Sequence, residues 1–346
     1  MRKILRVLVV FFIVFGSLLA ILAYNYYGKV FSSNVEVKNG KEYLYISKDA
    51  NFENVIDSLK VNGFIKNIDE FIWVAKLKNY HKKVKGGKYL LKDGMTNNSL
   101  VNMLRSGKQV PVKVTFNNIR TKEDLAKKIS KQIEASYDEI LGLLNNKDFI
   151  TELGFKKETV LCLFLPNTYE FYWSTDAKQF ILRMNDEYKK FWNETRTKKA
   201  KEVNLTPIEV SILASIVQAE QGRFNDEKPT IAGLYINRLT QGIALQSDPT
   251  LVYAAGDFSI KRVLNVHKEI NSPYNTYMYA GLTPGPINLP EISSIDAVLN
   301  YEKHDYLFMC AKDDFSGYHY FAKTASQHNV YAQRYHAALN GQKIYK

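Results

Sequence analysis

The sequence predicts an α+β protein on an N-terminal helix of membrane length, with a small α+β domain followed by a larger domain of mixed helices and strands. Three observations predict this class. Residues 7–23 form seventeen consecutive positions without a charge, mostly Val, Phe, Leu, Ile and Ala. Between 36 and 116, short alternating segments and helically spaced segments succeed one another. Beyond 118 the pattern turns to amphipathic helices, then to a segment around 206–220 that is apolar on nearly every side.

Arg2, Lys3 and Arg6 precede the apolar run. At roughly 1.5 Å of rise per residue, the run is near the lower limit for a spanning helix. A cleaved signal peptide shares the basic start and apolar core, but this run is long for one. Its exit, Ile21-Leu22-Ala23-Tyr24, lacks a small-x-small site, and no Cys follows to take a lipid. The expectation is an uncleaved, single-pass signal anchor over 1–27 in the plasma (inner) membrane. The basic end stays in the cytoplasm and residues 25–346 lie outside.

The formal net charge of +12 is spread along the chain, densest at Lys82-Lys83-Lys85-Lys88 and Lys198-Lys199-Lys201. Such a balance suits nucleic acid, acidic lipid or an acidic polymer, and export argues against nucleic acid. Most of these lysines read as a solvated surface. Cys162 and Cys310 sit in apolar contexts without metal spacing and read as core thiols; their pairing does not follow from sequence. His81, His267, His304, His319, His328 and His336 show no ligand spacing, so no metal or other cofactor is expected.

The small domain is expected over 36–110. Residues 43–46 alternate as a strand. Residues 51–62 place Phe52, Val55, Ile56 and Leu59 on one helical face, closed by Gly63. Residues 68–77 form a second helix, 86–91 a turn into a strand, and 99–104 a short helix stopped by Gly107. Residues 110–116 alternate again. The larger domain, 111–346, begins with helices in which Thr121 is a plausible N-cap. Residues 163–173 hold five aromatics around a Pro-Asn turn; a carbohydrate-facing wall and an ordinary core suit them equally.

Thr206-Pro207-Ile208-Glu209 has the form of a helix start, with a capping residue, a first-turn proline and a capping-box acid. Gly222 suits the end. Glu220 then lies in the last turn of a buried helix, at the negative end of its dipole. Burial and the dipole both raise a carboxyl's pKa, which favours a proton donor near neutral pH. The competing reading is a surface Glu paired with Arg223 or Lys228. A second helix over 229–239 carries Asn237 and Arg238. In Leu245-Gln246-Ser247-Asp248-Pro249-Thr250, Asp248 reads as an N-cap before a first-turn proline. Gln246 and Thr250 lie close to it, within reach of a sugar. Residues 272–277 and 281–287 are Gly/Pro-shaped loops able to present amides and Asn or Tyr side chains.

These residues carry a family resemblance. Leu213-Ala214-Ser215-Ile216-Val217-Gln218-Ala219-Glu220, Ile236-Asn237-Arg238-Leu239, Leu245-Gln246-Ser247-Asp248-Pro249-Thr250, Tyr274-Asn275-Thr276-Tyr277 and Gly281-Leu282-Thr283-Pro284-Gly285-Pro286-Ile287 resemble, in order and spacing, the motifs of the endolytic murein transglycosylase (YceG-like) family. Leu165-Pro166-Asn167-Thr168-Tyr169 is similar to its upstream motif, and the order of elements over 36–110 is similar to the family's LysM-like domain. The resemblance implies a lyase that cuts the β-1,4 bond between N-acetylmuramic acid and N-acetylglucosamine in nascent peptidoglycan strands. It implies 1,6-anhydro ends, termination of strand elongation, and a nearby membrane glycan polymerase of the penicillin-binding protein type. Glu220 would be the catalytic acid. Asn237, Arg238, Gln246, Asp248, Thr250, Tyr274, Asn275, Thr276, Tyr277 and Gly285 would bind substrate.

The chain departs from the family pattern at two places. Gln218 stands where many members carry an acid, which leaves Glu220 as the motif's carboxylate. Leu161-Cys162 and Asn167 replace upstream acids, so that segment is left with binding or packing. Two alternatives remain: a hydrolytic muramidase using Asp248 as second carboxylate, and an anchored wall-binding protein without catalysis.

Overall fold

Uninterrupted apolar sequence makes the N-terminal segment one helix, α1 (Arg2–Phe31), extending past residues 7–23 in both directions. It is long and apolar enough to cross a membrane, and the rest of the chain buries none of its most apolar stretch. The computed structural model describes residues 2–260 and 262–341, with the backbone alone at Asn39. The expected domain limits at 1 and 346 lie outside the described residues. Two compact units result: residues 1–114 with 132–135 and 169–176, and residues 115–131, 136–168 and 177–346.

The first unit runs β1 (Lys41–Ile46), α2 (Phe52–Val61), α3 (Ile68–Leu77), β2 (Gly87–Lys92), α4 (Asn97–Ser106) and most of β3 (Pro111–Phe116), and takes in most of β4 (Asn167–Tyr172) from further along the chain. Local residues punctuate it, and the expected stop at Gly107 forms. Asn51 caps α2, Asn67 caps α3, and Gly107, at φ 75°, ends α4 in the left-handed region. α4 begins earlier than its apolar spacing suggested, because Thr96 and Ser99 form a capping box there. β1 and β2 pair antiparallel, Tyr43 opposite Leu90 and Tyr45 opposite Lys88. Leu44, Val55, Leu59, Phe71, Val74, Leu91, Leu100 and Leu104 share the core with Val30 from the end of α1. A buried amide network reinforces that junction. Asn34 donates to Asn97 Oδ1 at 2.8 Å, and Asn97 donates to the Lys29 carbonyl at 2.9 Å. One of the carbonyls that a helix end leaves unpaired is thereby satisfied.

The second unit contains α5 (Lys122–Ile129), α6 (Tyr137–Asn145), α7 (Lys147–Glu152), α8 (Ala177–Phe191), α9 (Glu194–Glu202), α10 (Pro207–Glu220) and α11 (Lys228–Thr240). It continues through α12 (Asp248–Ala255), α13 (Asn265–Lys268), α14 (Ile292–Leu299), β5 (Phe308–Ala311), β6 (His319–Ala322) and α15 (Ala325–Gly341). β3 and β4 form one two-stranded sheet, and β5 and β6 another. The organising element is α10, buried from Val210 to Val217 and packed against α9, α11, α12 and α14. Val210, Leu213, Ala214 and Val217 meet Ile231, Leu234 and Tyr235 of α11 and Ile295 and Val298 of α14.

The aromatic segment divides. Phe164 is buried, its ring 6.0 Å from Phe180 and 6.4 Å from Phe116, whereas Tyr172 is exposed. Cys162 and Cys310 are both free thiols.

Candidate active site

The start of α10 forms as its residues dictate. Thr206 accepts from the Glu209 amide at 3.3 Å, Glu209 accepts from the Thr206 amide at 2.7 Å, and Pro207 occupies the first turn. Its end differs from expectation. The cap is Gln221, at φ −132°, and Gly222 is not among the glycines with positive φ. No left-handed stop forms, and side-chain contacts to Gln221 end the helix instead.

Glu220 does not pair with Arg223 or Lys228. Its Oε1 accepts from the Tyr235 hydroxyl of α11 at 2.6 Å and from the Ser247 hydroxyl before α12 at 2.5 Å. Both hydroxyl residues are buried, so these donors are held in place by packing. Burial pushes the Glu220 carboxyl above the usual carboxylate range. The Ser247 and Tyr235 hydroxyls and, more weakly, His319 oppose this, while Asp248 adds to it. The result is a carboxyl that keeps its proton to higher pH than an exposed one.

Asp248 is a correction to the expected cap. Ser247 occupies the cap position, and Asp248 lies in the first turn with Pro249. Its Oδ1 accepts from the Tyr277 hydroxyl at 2.6 Å, which ties α12 to the 272–277 loop. Gln246 is exposed, at φ 54°, and accepts from Arg238 at 3.3 Å.

Several expected binding residues hold the frame. Arg238 is buried and donates to the carbonyls of Leu307, Ala244 and Leu245. Asn237 donates to the carbonyls of His304 and Tyr306. Thr250 is wholly buried, its hydroxyl engaged with the Ser247 carbonyl and Thr276. Thr276 also accepts from the Ser247 amide at 3.0 Å, so this pair positions the serine that bonds Glu220. Asn275 is buried and donates to the carbonyls of Lys268 and Ile270. Tyr274 packs on Tyr253 with ring centroids 4.7 Å apart. Gly285 is a close-approach glycine: a Cβ there would stand 1.9 Å from the Glu158 carbonyl oxygen.

The loop after Gly285 docks on α10 one turn before the acid. The Ile287 amide donates to Ser215 Oγ at 3.0 Å, and Asn288 donates to the Ser215 carbonyl at 2.8 Å. Gln218 accepts from the Glu291 amide at 2.5 Å and from Ser294 at 3.1 Å. It therefore satisfies the start of α14 with a neutral acceptor.

A cleft of about 1300 Å³ opens beside the last turn of α10. Gln218, Ala219 and Gly222, the sequence neighbours of Glu220, line it, with Asp248 and Tyr253 of α12 and Arg120, Lys127 and Lys131 at α5; Glu220 itself is not part of the lining. Of the expected binding residues, Asp248 alone lines this cleft. Among the described residues, no group of three or more His, Cys, Asp or Glu has the placement to hold a metal.

The model of the YceG-like family matches residues 44–334. The chain belongs to this family. Over 331 residues the YceG-like chain is 28% identical to the endolytic murein transglycosylase of Bacillus subtilis, covering 91% of this chain and 90% of that one. It is 27% identical to the endolytic murein transglycosylase of Streptococcus pneumoniae strain D39, over 94% of this chain but 64% of that longer relative. The crystal structure of a YceG-like protein from Listeria monocytogenes superposes with a TM-score of 0.56 at 27% identity, covering 85% of this chain and 99% of that one. The expected family, fold class and mixed helix-and-strand make-up are borne out.

Sequence reasoning missed both hydroxyls on Glu220. Ser247 lay inside a motif already singled out, and Tyr235 stands one residue before another. No periodicity connects either to α10, because each arrives from a different element.

Proposed function

We propose that this YceG-like chain is a peptidoglycan lytic transglycosylase, a lyase that cuts nascent glycan strands internally at the N-acetylmuramic acid–β-1,4–N-acetylglucosamine bond. The observation that carries this is Glu220: one half-buried carboxyl, raised in pKa, fixed by two hydroxyls beside a cleft.

Both hydroxyls donate to Oε1, so the acid proton belongs on Oε2. Glu220 gives that proton to the glycosidic oxygen as the bond from muramic C1 breaks. The carboxylate then takes the proton of the C6 hydroxyl as O6 bonds to C1, closing the 1,6-anhydro ring. The nucleophile is part of the substrate, so no second carboxylate has to activate water. Tyr235 and Ser247 stabilise the intervening carboxylate. Asp248, which a hydrolytic mechanism would need as a free base, is engaged by Tyr277. Gln246, exposed in a left-handed conformation, and the half-buried Tyr277 are the expected binding residues left to meet a sugar beside Asp248; Asn237, Arg238, Thr250, Asn275, Thr276 and Gly285 act by holding the frame. The basic residues at α5 suit the acidic stem peptides of the polymer.

The anchor, with its basic end in the cytoplasm, places the enzyme at the outer face of the membrane, where strands emerge from a polymerase. The strand–helix–helix–strand order within 36–110 supports a LysM-like segment that holds the strand, with the catalytic domain over 111–346. The test is cleavage in ¹⁸O-labelled water. A lytic reaction leaves new sugar ends without label; one labelled oxygen per cut would make the chain a hydrolase.

A further inference from the structure

The residue after the acid is held by a buried network that the reaction does not use. Gln221 is buried, and its Nε2 donates to Glu227 Oε2 at 2.6 Å and to the Gly317 carbonyl at 3.0 Å. Its Oε1 accepts from the amides of Arg223 at 3.1 Å and Phe224 at 3.2 Å. Glu227, only 6% exposed, gathers three elements on one carboxylate. It stands at the start of α11, takes Gln221 from the end of α10, and accepts from the His319 amide at 2.7 Å and His319 Nδ1 at 2.9 Å at the start of β6. Burial works against its charge, but the bonds from His319 and Gln221 outweigh it and hold the carboxyl below the usual range. The Phe224 and Tyr318 rings stack at 4.1 Å beside it.

A buried carboxylate is retained at a cost unless its partners are complete, and here they are. Its placement also explains why α10 stops at Glu220 without a left-handed glycine. We infer that Glu227, through Gln221 and His319, is a positioning residue for Glu220: the clamp fixes the last turn of α10 so that the acid meets both hydroxyls and the scissile oxygen. This inference rests on the lytic reading of Glu220. The charged and titratable groups facing Glu220 are Tyr235 from α11, Asp248 from α12, Tyr277 from the 272–277 loop and His319 from β6.

The test compares the full-length chain with Glu227→Ala, His319→Ala and His319→Asn on uncrosslinked strands, with a titration of the ¹³C-labelled Glu220 carboxyl by NMR. That signal is assigned by its loss in Glu220→Gln. Glu227→Ala is expected to lower kcat about a hundredfold with KM little changed, since a misplacement of about 1 Å costs that much. His319→Asn, whose side-chain amide stands where Nδ1 donates, is expected to recover most of the kcat lost in His319→Ala. In Glu227→Ala the Glu220 carboxyl is expected to titrate closer to the ordinary carboxylate range, as the loosened helix end admits water. An unchanged kcat, a loss confined to KM, or His319→Asn no better than His319→Ala would overturn the inference. If the wild type makes no anhydro ends, the lytic reading fails by itself. The titration still decides the clamp, because an unchanged Glu220 pKa in Glu227→Ala contradicts it whatever the activity.

Discussion

At the scale of residues, Glu220 is held between burial, which favours its proton, and two hydroxyls, which favour its charge. Its pKa is raised in the folded chain, so it contributes stability below its unfolded pKa and loses it as pH rises through the folded value. Wild type is therefore expected to lose thermal stability over that rise, and Glu220→Gln to melt higher than wild type at neutral and alkaline pH, converging with it in acid. Paired melting curves across pH check this. With Glu220 as the proposed proton donor, kcat/KM should fall over the same rise. Tyr235→Phe removes a bond to the carboxylate and is expected to raise the Glu220 pKa further and lower kcat roughly tenfold or more, as charged hydrogen bonds are worth about 1.5–3 kcal/mol. Steady-state kinetics with a pH profile measure both effects. The place of Glu220 at the end of a buried helix was legible in the sequence, because the apolar run of α10 leads straight to it. Its partners were not, because each comes from a different element and only the folded chain assembles them.

At the scale of elements, helix starts were legible and helix ends were less so. Starts are local: Thr121 and Thr206 read as caps and do cap, and Asn51 and Asn67, not singled out beforehand, cap α2 and α3 with their own side chains within three residues in the same way. Thr206→Ala is expected to cost about 1 kcal/mol by denaturant titration, the usual worth of such a cap. Ends depend on distant groups. Gly222 looked like a stop, yet Gln221 ends α10 through contacts with Glu227 and Gly317. Asp248 looked like a cap, yet Ser247 takes that position and Tyr277 takes the carboxylate. At the junction of α1 with the first unit, Asn97→Ala would leave Asn34 and the Lys29 carbonyl without their buried partner. A loss of about 2 kcal/mol is expected there, within the cost of unsatisfied buried groups. Equilibrium unfolding measures it.

At the scale of the whole molecule, an apolar helix is followed by a small unit and a larger unit in which α10 is the centre. Composition made the first helix legible, and alternation with helical spacing made the order of elements legible. The frame role of Arg238, Asn237 and Thr250 was not, because a polar side chain in a motif reads alike whether it meets a ligand or a backbone carbonyl. Deleting residues 1–27 keeps Lys29 and Val30, which the first unit needs, and removes Tyr26, whose ring meets Trp73 at 5.5 Å. That truncation is expected to cleave strands in solution at close to the wild-type rate while lengthening strands in cells, read by sizing glycans after peptide removal. Unchanged lengths would remove the anchor from the account. The central claim, one carboxyl acting as acid and then base, is tested most directly by mass analysis of the sugar ends made from uncrosslinked strands by wild type and Glu220→Gln. The account predicts ends lighter by one water from the wild type and uncut strands from a folded Glu220→Gln. Reducing ends from the wild type, or anhydro ends from Glu220→Gln at the wild-type rate, would contradict it.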